Sequence, residues 1–465
     1  MKRAKQITAI LMAALMVAAM SACGDSGKET SDSGSSQSSA ASADDNKDDA
    51  KDDAKDDADE SAAPADTGGE DVTLRMIVPD LDQNIFFDAT IEEYVKTHTN
   101  VSFDPIGVQS TEFDDKVKVM LAGGDDVDMI YSKNNGQYLS MINNDQVISL
   151  NPLIERDGFD MSIYGGSEDI LKLDGETYGL PFRKDLWLVW FNKTMFDEAG
   201  VDYPTDDMTW EEWGELCGKM TSGSGNDKVY GGYLHNWAVS VQNMAIQNGE
   251  HTRIERDYEF FRPYYELALG WQKDGLILEY GAIQAGTLHY TGEFYNQNCA
   301  MVYQGTWFIG RLLQEQAENG LDFEWGMIKS PHAEDAKEGQ TVGTLFPMCI
   351  NSKSENQDEA WEYMKFLCGT EGAEIIASTG FLPCAQNEKA MDIYTSQEGF
   401  PEGYEQVFDT TSVVQEIPVH PAANEVGTIL DEEHSLIMTD SISIDEGLEN
   451  MKERVNEVLD EMGID

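Results

Sequence analysis

The stretch VTLRMIV at residues 72–78 places an apolar side chain at every second position, which predicts a β-strand with one buried face. Apolar residues at helical spacing follow at 87–95 and 113–121, and short apolar runs lie at 101–106 and 127–131. Strands separated by helical crossovers indicate an α/β fold, in which a largely parallel sheet carries helices on both faces.

Residues 1–22 have the form of a targeting segment. Basic residues precede an apolar run at 7–20, which is shorter than the roughly 20 residues of a membrane-spanning helix. Small residues then lead to Cys23 in a pattern that resembles the lipobox of bacterial lipoproteins, whose cysteine is acylated. The resemblance implies a signal peptide at 1–22 and a lipid anchor at Cys23, on the outer face of the cytoplasmic membrane. The alternative is an ordinary secretory signal with an incidental cysteine.

Residues 23–70 contain almost no large apolar side chains and are rich in Asp, Ser and Ala. Such a segment cannot bury enough surface to offset the entropy of ordering it, so we expect a disordered acidic linker. The chain from residue 71 onward is longer than a single hydrophobic core usually accommodates, so its length predicts two lobes.

The formal net charge is −56, from 87 acidic and 31 basic residues. This charge disfavours nucleic acid and a bare anionic membrane surface as partners. With so many carboxylates, acid pairs arise by chance at any spacing, so none of them indicates a glycosidase. The sequence has no HExxH, GxSxG or Walker A pattern, and we expect no enzymatic activity.

Five cysteines remain once Cys23 is assigned to the anchor. They are Cys217, Cys299, Cys349, Cys368 and Cys384. Their number is odd and the sequence has no CxxC motif, so the cysteines give no sign of a disulfide framework or of a zinc site. We expect most of them to be buried free thiols, and we expect neither a metal nor another cofactor.

Several different short motifs lie along most of the chain beyond residue 71. In chain order they are AGGDDVD at 122–128, YGLP at 178–181, FNKTMF at 191–196, TWEE at 209–212, NCAM at 298–301, KFL at 365–367 and GFLP at 380–383. In this order, and behind a lipobox, they resemble family 1 extracellular solute-binding proteins, the maltose-binding-protein-like substrate-binding lipoproteins of ABC sugar importers.

The resemblance implies a two-lobe, type II periplasmic-binding-protein-like fold with the ligand in the cleft between the lobes. It places the first lobe at 71–181 plus 330–382 and the second at 182–329 plus 383–465. It further implies a monomeric binding protein without a cofactor. This protein would capture a carbohydrate, such as an oligosaccharide, and deliver it to the permease subunits of an ABC importer.

Tryptophans are the first candidates for a sugar site, because flat rings stack on the C–H faces of a pyranose. By resemblance, Trp307 stands where sugar-binding members stack a sugar ring, and Asp185 stands where maltose-binding members carry a cleft carboxylate. On a strand, Trp187 shares the face of Asp185 while Trp190 points away, so Trp187 is the stronger candidate. Trp237 is a candidate loop platform. The alternative for each of these residues is a role in the core.

Polar side chains after the first and third strands are the second set of candidates. Asp82 and Asn84 follow the first strand, and Asn134 and Asn135 follow the third. Family members reach into the cleft from the loop after the first strand, and amide and carboxylate groups suit sugar hydroxyls. Maltose-type members carry a Trp where Ser132 stands, and this difference argues against a malto-oligosaccharide.

Two functional alternatives remain open at this point. The chain could be a surface lipoprotein that holds a glycan without feeding a transporter. On the same fold it could instead bind a polyamine, iron, a phosphate ester or a peptide.

Overall fold

The computed structural model describes residues 70–110, 112–333, 336, 339–410 and 412–464. The predicted signal peptide, the predicted lipid-bearing Cys23 and all but the last residue of the predicted linker therefore lie outside the described residues.

The described part alternates strands and helices. The strands are β1 (Val72–Pro79), β2 (Val101–Val108), β3 (Met129–Tyr131), β4 (Lys172–Leu173), β5 (Glu176–Thr177), β6 (Leu180–Asn192), β7 (Tyr230–Leu234), β8 (Cys299–Gly305), β9 (Trp325–Lys329), β10 (Gln340–Ile350) and β11 (Ser412–Gln415). The helices are α1 (Phe86–Tyr94), α2 (Phe113–Gly123), α3 (Asn135–Asn143), α4 (Asn151–Asp157), α5 (Lys193–Ala199), α6 (Trp210–Met220), α7 (Val239–Ile246), α8 (Arg262–Lys273), α9 (Tyr280–Gly286), α10 (Tyr290–Tyr295), α11 (Trp307–Glu318), α12 (Gln357–Cys368), α13 (Thr370–Ser378), α14 (Glu388–Thr395), α15 (Ala423–Met438) and α16 (Ile444–Met462).

The first three strands form the parallel arrangement that their periodicity predicts. Strand β1 pairs in parallel with β2, starting at Val72 and Val101, and also with β3. Helices α1 and α2 are the crossovers between them, and Gly124 ends α2 in the left-handed conformation. The prediction of alternating strands and helices at the N-terminal end is confirmed.

Beyond β3 the prediction of a largely parallel sheet is wrong, because the sheet is mixed. The strand order is β2-β1-β3-β10-β6-β8-β7, with β11 beside β10 and β9 beside β6. Strand β10 runs antiparallel to both β3 and β6, and β6 runs antiparallel to β8 and β9. The physical reason is that the long strands β6 and β10 run through the middle of the sheet in opposite directions.

Strand β6, with 13 residues, joins two groups of strands. Its first part, 180–186, pairs with β10, and its second part, 187–192, pairs with β8 and β9. Residues 382–384 run beside the first part, since the Lys184 N–H donates to the Leu382 carbonyl. We call β1–β3 with β10 the first strand group, and β7–β9 the second strand group.

The helices cover these strand groups with apolar side chains. Trp361 on α12 and both Trp210 and Trp213 on α6 are fully buried. A capping box begins α6: the Thr209 hydroxyl accepts from the Glu212 N–H, and the Glu212 carboxylate accepts from the Thr209 N–H.

All five cysteines in the described part are buried and free, which confirms the prediction of buried thiols. None of the described helices is both long enough and apolar enough to cross a membrane.

Candidate ligand-binding cleft

Two adjoining cavities open between the first and second strand groups. Cavity A, of about 940 Å³, is lined by the segments after β1 and β3 and by α11. Cavity B, of about 1100 Å³, is lined by residues 236–239, by α15 and by Trp187. Both cavities are lined by Lys133, Asn134, Trp307, Glu416 and Ile417. Every residue that the sequence predicts as ligand-binding lines cavity A, cavity B or both.

Trp307 stands at the boundary of the two cavities, at the first position of α11. Its ring lies over Gly305, where an added Cβ would come within 2.0 Å of the indole. The indole Nε1–H donates to the Tyr290 hydroxyl at 3.1 Å, and the side chain is partly exposed. Glycine at 305 therefore makes room for the ring and holds it at the cleft.

Trp187 lies behind Trp307 and is only 1% exposed. Its ring is perpendicular to those of Trp307 and Trp237, with centroids 5.3 and 6.5 Å away, and Tyr303 packs at 4.7 Å. Trp237, in contrast, is 38% exposed. Trp190 is completely buried. The cleft thus exposes Trp237 and part of Trp307 to a ligand, while Trp187 packs against both rings.

A buried ion pair lies at the base of cavity A. Arg183 donates from Nη2 to Asp185 Oδ2 and from Nη1 to Asn84 Oδ1, the latter at 3.1 Å. The other Asp185 oxygen, Oδ1, accepts from the Thr306 hydroxyl at 2.9 Å. The guanidinium also lies 4.6 Å from the centroid of the Phe346 ring. Both oxygens of Asp185 are therefore engaged within the protein, and the pair fixes the shape of the site.

Asp82 and Asn84, in the loop after β1, both line cavity A but differ in exposure. Asn84 is buried, and its Nδ2 donates to the Pro79 carbonyl at 2.8 Å while its Oδ1 accepts from Arg183. Asp82 is exposed and lines the cavity. Asn84 thus fastens the loop, and Asp82 is the side chain there that can meet a ligand.

Asn134 and Asn135 both take part in local structure at the edge of the cleft. Asn134 caps α3 by accepting from the Gln137 N–H at 2.8 Å. The Asn135 Nδ2 donates to Gln415 Oε1 at 3.0 Å and to the Ile417 carbonyl. Its buried Oδ1 has no hydrogen-bond partner among the described residues, which leaves one acceptor for a ligand or a water molecule.

Glu416 lines both cavities, although the sequence offers no sign of it. Its Oε2 accepts hydrogen bonds from Trp187 Nε1 at 2.5 Å and from Asn243 Nδ2 at 3.3 Å. Burial raises the pKa of this carboxyl, while Arg253 and the hydrogen bonds from Trp187 and Asn243 oppose the rise. These partners are 173 and 229 positions away in the chain, so no local pattern could have identified Glu416.

Two further basic side chains at cavity A also escaped the sequence analysis. Arg311, on α11, donates to Gln83 Oε1 at 3.2 Å, and Lys133 Nζ donates to the Ser110 carbonyl at 2.6 Å. Neither forms an ion pair with a carboxylate among the described residues. The Arg311–Gln83 bond links α11 to the loop after β1, across cavity A.

Two histidines beside the aromatic cluster are neutral. Burial lowers the pKa of His235 to about 3 and that of His289 to about 4. His235 packs against Trp237 with ring centroids 4.4 Å apart. Their charge therefore stays constant across the physiological pH range. Within the described residues, no group of three or more His, Cys, Asp or Glu side chains could hold a metal ion.

Two α/β strand groups joined by long crossing strands, with a deep cleft between them, define a two-lobe ligand-capturing protein. Comparison with known proteins agrees with this class. The family model for bacterial extracellular solute-binding proteins matches residues 82–374, and the chain belongs to this family.

Among solved structures, a sugar transporter from Rhizobium etli in an open conformation superposes with a TM-score of 0.75 at 34% identity, over 83% of this chain and 99% of that chain. The predicted two-lobe solute-binding fold is thereby confirmed.

Among related sequences, the sn-glycerol-3-phosphate-binding periplasmic protein of Pectobacterium atrosepticum is 23% identical over 61% of this chain and 67% of its own length. A putative binding protein of Brucella abortus is 24% identical over 48% of this chain, and this match spans 54% of the Brucella protein.

Proposed function

We propose that this protein is an extracytoplasmic substrate-binding protein that captures an oligosaccharide and delivers it to the transmembrane subunits of an ABC importer. The observation that carries the proposal is that the exposed Trp237 and the partly exposed Trp307 line one cleft together with carboxylate and amide groups. Aromatic faces take the C–H surfaces of sugar rings, and planar polar groups take the hydroxyls.

The size of the two cavities and the position of Trp307 between them favour a ligand of more than one sugar unit. Cavity A lies near the upper end of the roughly 300–1,000 Å³ common for small-molecule sites and cavity B lies above it, and the two adjoin at Trp307. A ligand that occupies both has to pass this residue. An elongated saccharide satisfies this requirement, since successive rings can lie on either side of one platform.

A phosphate ester is the second candidate, because one relative binds glycerol 3-phosphate and because Lys133 and Arg311 line cavity A without a carboxylate partner. The charge of the lining argues against it. The carboxylates of cavity A are Asp80, Asp82, Asp185, Glu318 and Glu416, against the cations Lys133, Arg183 and Arg311. A dianion would meet net repulsion there, whereas a neutral sugar would not.

The lobe limits belong to the same proposal, with two adjustments that the contacts support. The His332 N–H still donates to the Met208 carbonyl, so we place the chain's return to the first lobe after His332 rather than at 330. Helix α14 packs on α13, and Lys389 pairs with Glu374, so we assign α14 to the first lobe as well. The lipid anchor at Cys23, the monomeric state and the absence of catalysis complete the proposal.

A thermal-shift and fluorescence screen of the purified mature protein tests the ligand class. The panel contains mannobiose, mannotriose, maltotriose, xylotriose and cellotriose, together with glycerol 3-phosphate, spermidine, ferric citrate and a tripeptide. A ligand that binds the native state alone raises Tm, and stacking on Trp307 changes tryptophan emission. We expect both signals from at least one saccharide. A response to glycerol 3-phosphate or spermidine alone would refute the sugar assignment.

A further inference from the structure

We propose that Glu416 is the carboxylate that binds the sugar unit lodged at the junction of cavities A and B, with its Oε1 accepting hydrogen bonds from that unit's hydroxyls. The inference rests on the proposed function and assigns a specificity-determining residue within the same cleft.

Position is the first argument. The five residues shared by the two cavities include one aromatic ring, Trp307, and one carboxylate, Glu416. A saccharide that extends through both cavities therefore passes a stacking platform and a strong hydrogen-bond acceptor at the same point. This pairing is the combination that a pyranose ring requires.

The free oxygen is the second argument. Oε2 already accepts from Trp187 and Asn243, whereas Oε1 has no hydrogen-bond donor among the described residues. A carboxylate can accept several hydrogen bonds, so Glu416 retains most of its capacity for a ligand. The indole and the amide hold the side chain in place, and Trp187 is itself locked by packing, so Oε1 is presented at a set position.

The electrostatic setting is the third argument. Glu416 forms no ion pair within the described part of the chain, and the nearby Arg253 is held by Gln242 at 2.8 Å and lies 3.5 Å from Asp431. Burial correspondingly raises the pKa of the Glu416 carboxyl. A carboxylate that the fold desolvates without neutralising costs stability, and such groups cluster at functional sites.

The test compares Glu416→Gln with wild type by isothermal titration of the purified mature protein with each saccharide of the panel. The amide is isosteric and its carbonyl still accepts from Trp187 and Asn243, so the fold is retained. We expect the association constant to fall at least about tenfold, which corresponds to the loss of hydrogen bonds to a charged group. We expect the Tm of the ligand-free variant to equal or exceed that of wild type, because a partly buried charge is removed.

Glu457→Gln is the matched control, since it removes one negative charge from an exposed position on α16 outside both cavities. It should bind as wild type does. Unchanged affinity of Glu416→Gln, or equal weakening of both variants, would overturn the inference and leave the proposed function intact. Should wild type bind none of the saccharides, the proposed function fails and takes the inference with it.

A second variant keeps the inference testable if Glu416→Gln does not fold. Glu416→Asp retains the charge and withdraws the oxygens by one methylene, so saccharide affinity should fall several-fold. Wild-type affinity in this variant would show that the position of Oε1 is irrelevant, and it would refute a direct contact.

Discussion

The indole nitrogen of Trp187 donates a 2.5 Å hydrogen bond to Glu416, although 229 positions separate the two residues in the chain. Trp187 lies where β6 leaves β10 and begins to pair with β8 at Gly305. Glu416 directly follows β11, which pairs with β10. The bond therefore connects segments that meet between the two strand groups, and it does so at the wall of the cleft.

Replacement of Trp307 by Phe and by Leu separates stacking from simple burial. Phe keeps an aromatic face over Gly305, whereas Leu fills similar space without one. We expect saccharide affinity to change by only a few-fold in Trp307→Phe and to fall at least about tenfold in Trp307→Leu. Titration calorimetry measures the difference. Equal affinities for the two variants would mean that Trp307 belongs to the core and not to the site.

Gly305→Ala should weaken sugar binding although residue 305 lines neither cavity. Its Cβ would come within 2.0 Å of the Trp307 ring, so the indole has to move. We expect a several-fold loss of affinity with near-native circular dichroism. A loss of Tm without any change in affinity would contradict the position that we assign to Trp307.

Saccharide binding should weaken as pH falls, because the sugar hydroxyls donate to the ionised form of Glu416. Burial raises the pKa of this carboxyl, so the loss should begin at a higher pH than for an ordinary glutamate. The other charged groups that line cavity B are Lys133, Arg253, Asp431, Glu432 and Arg454. Titrations between pH 7.5 and 4.5, with folding monitored by circular dichroism, measure the effect. Glu416→Gln should lack this dependence, and an identical slope in that variant would disprove the assignment.

The raised pKa of the Glu416 carboxyl should also affect the stability of the ligand-free protein. A carboxyl whose pKa is higher in the folded than in the unfolded state stabilises the fold at low pH. This contribution is lost as pH rises through the folded-state value. The stability advantage of Glu416→Gln over wild type should therefore grow from acid to neutral pH, as measured by urea denaturation. A variant that is less stable than wild type at neutral pH would contradict this account.

Asp185→Ala should destabilise the ligand-free protein by about 3–5 kcal/mol, because it leaves the buried Arg183 guanidinium without its partner. Asp185→Asn keeps two polar atoms at the position and should cost less. Urea denaturation of both variants gives the comparison. Native stability of Asp185→Ala would show that the ion pair does not hold the base of cavity A.

Cys23→Ala should release the protein from the membrane into the medium or the periplasm, since the lipobox-like motif provides the proposed anchor. Cell fractionation with immunoblotting measures the distribution. Retention of the variant in the membrane fraction would refute lipidation at Cys23.

Local patterns in the sequence predicted much of the fold. The alternation at 72–78, the helical spacing at 113–121 and the Thr209–Glu212 box specify β1, α2 and the start of α6, and all three are present. Each rests on interactions within a few residues, so the sequence alone carries the signal. The resemblance of the motifs likewise predicted the family, and it singled out Trp307, which lines both cavities.

Tertiary structure alone decided the rest. The antiparallel pairing of β6 and β10 made the sheet mixed, buried Trp187 and brought Glu416 to the junction of the cavities. It also turned Asp185 inward against Arg183. Some of these contacts join positions that are far apart in the chain. Others depend on which face of β6 is buried. Neither periodicity nor a short motif encodes such information, because it arises only when the strands pair and the two halves of the sheet meet.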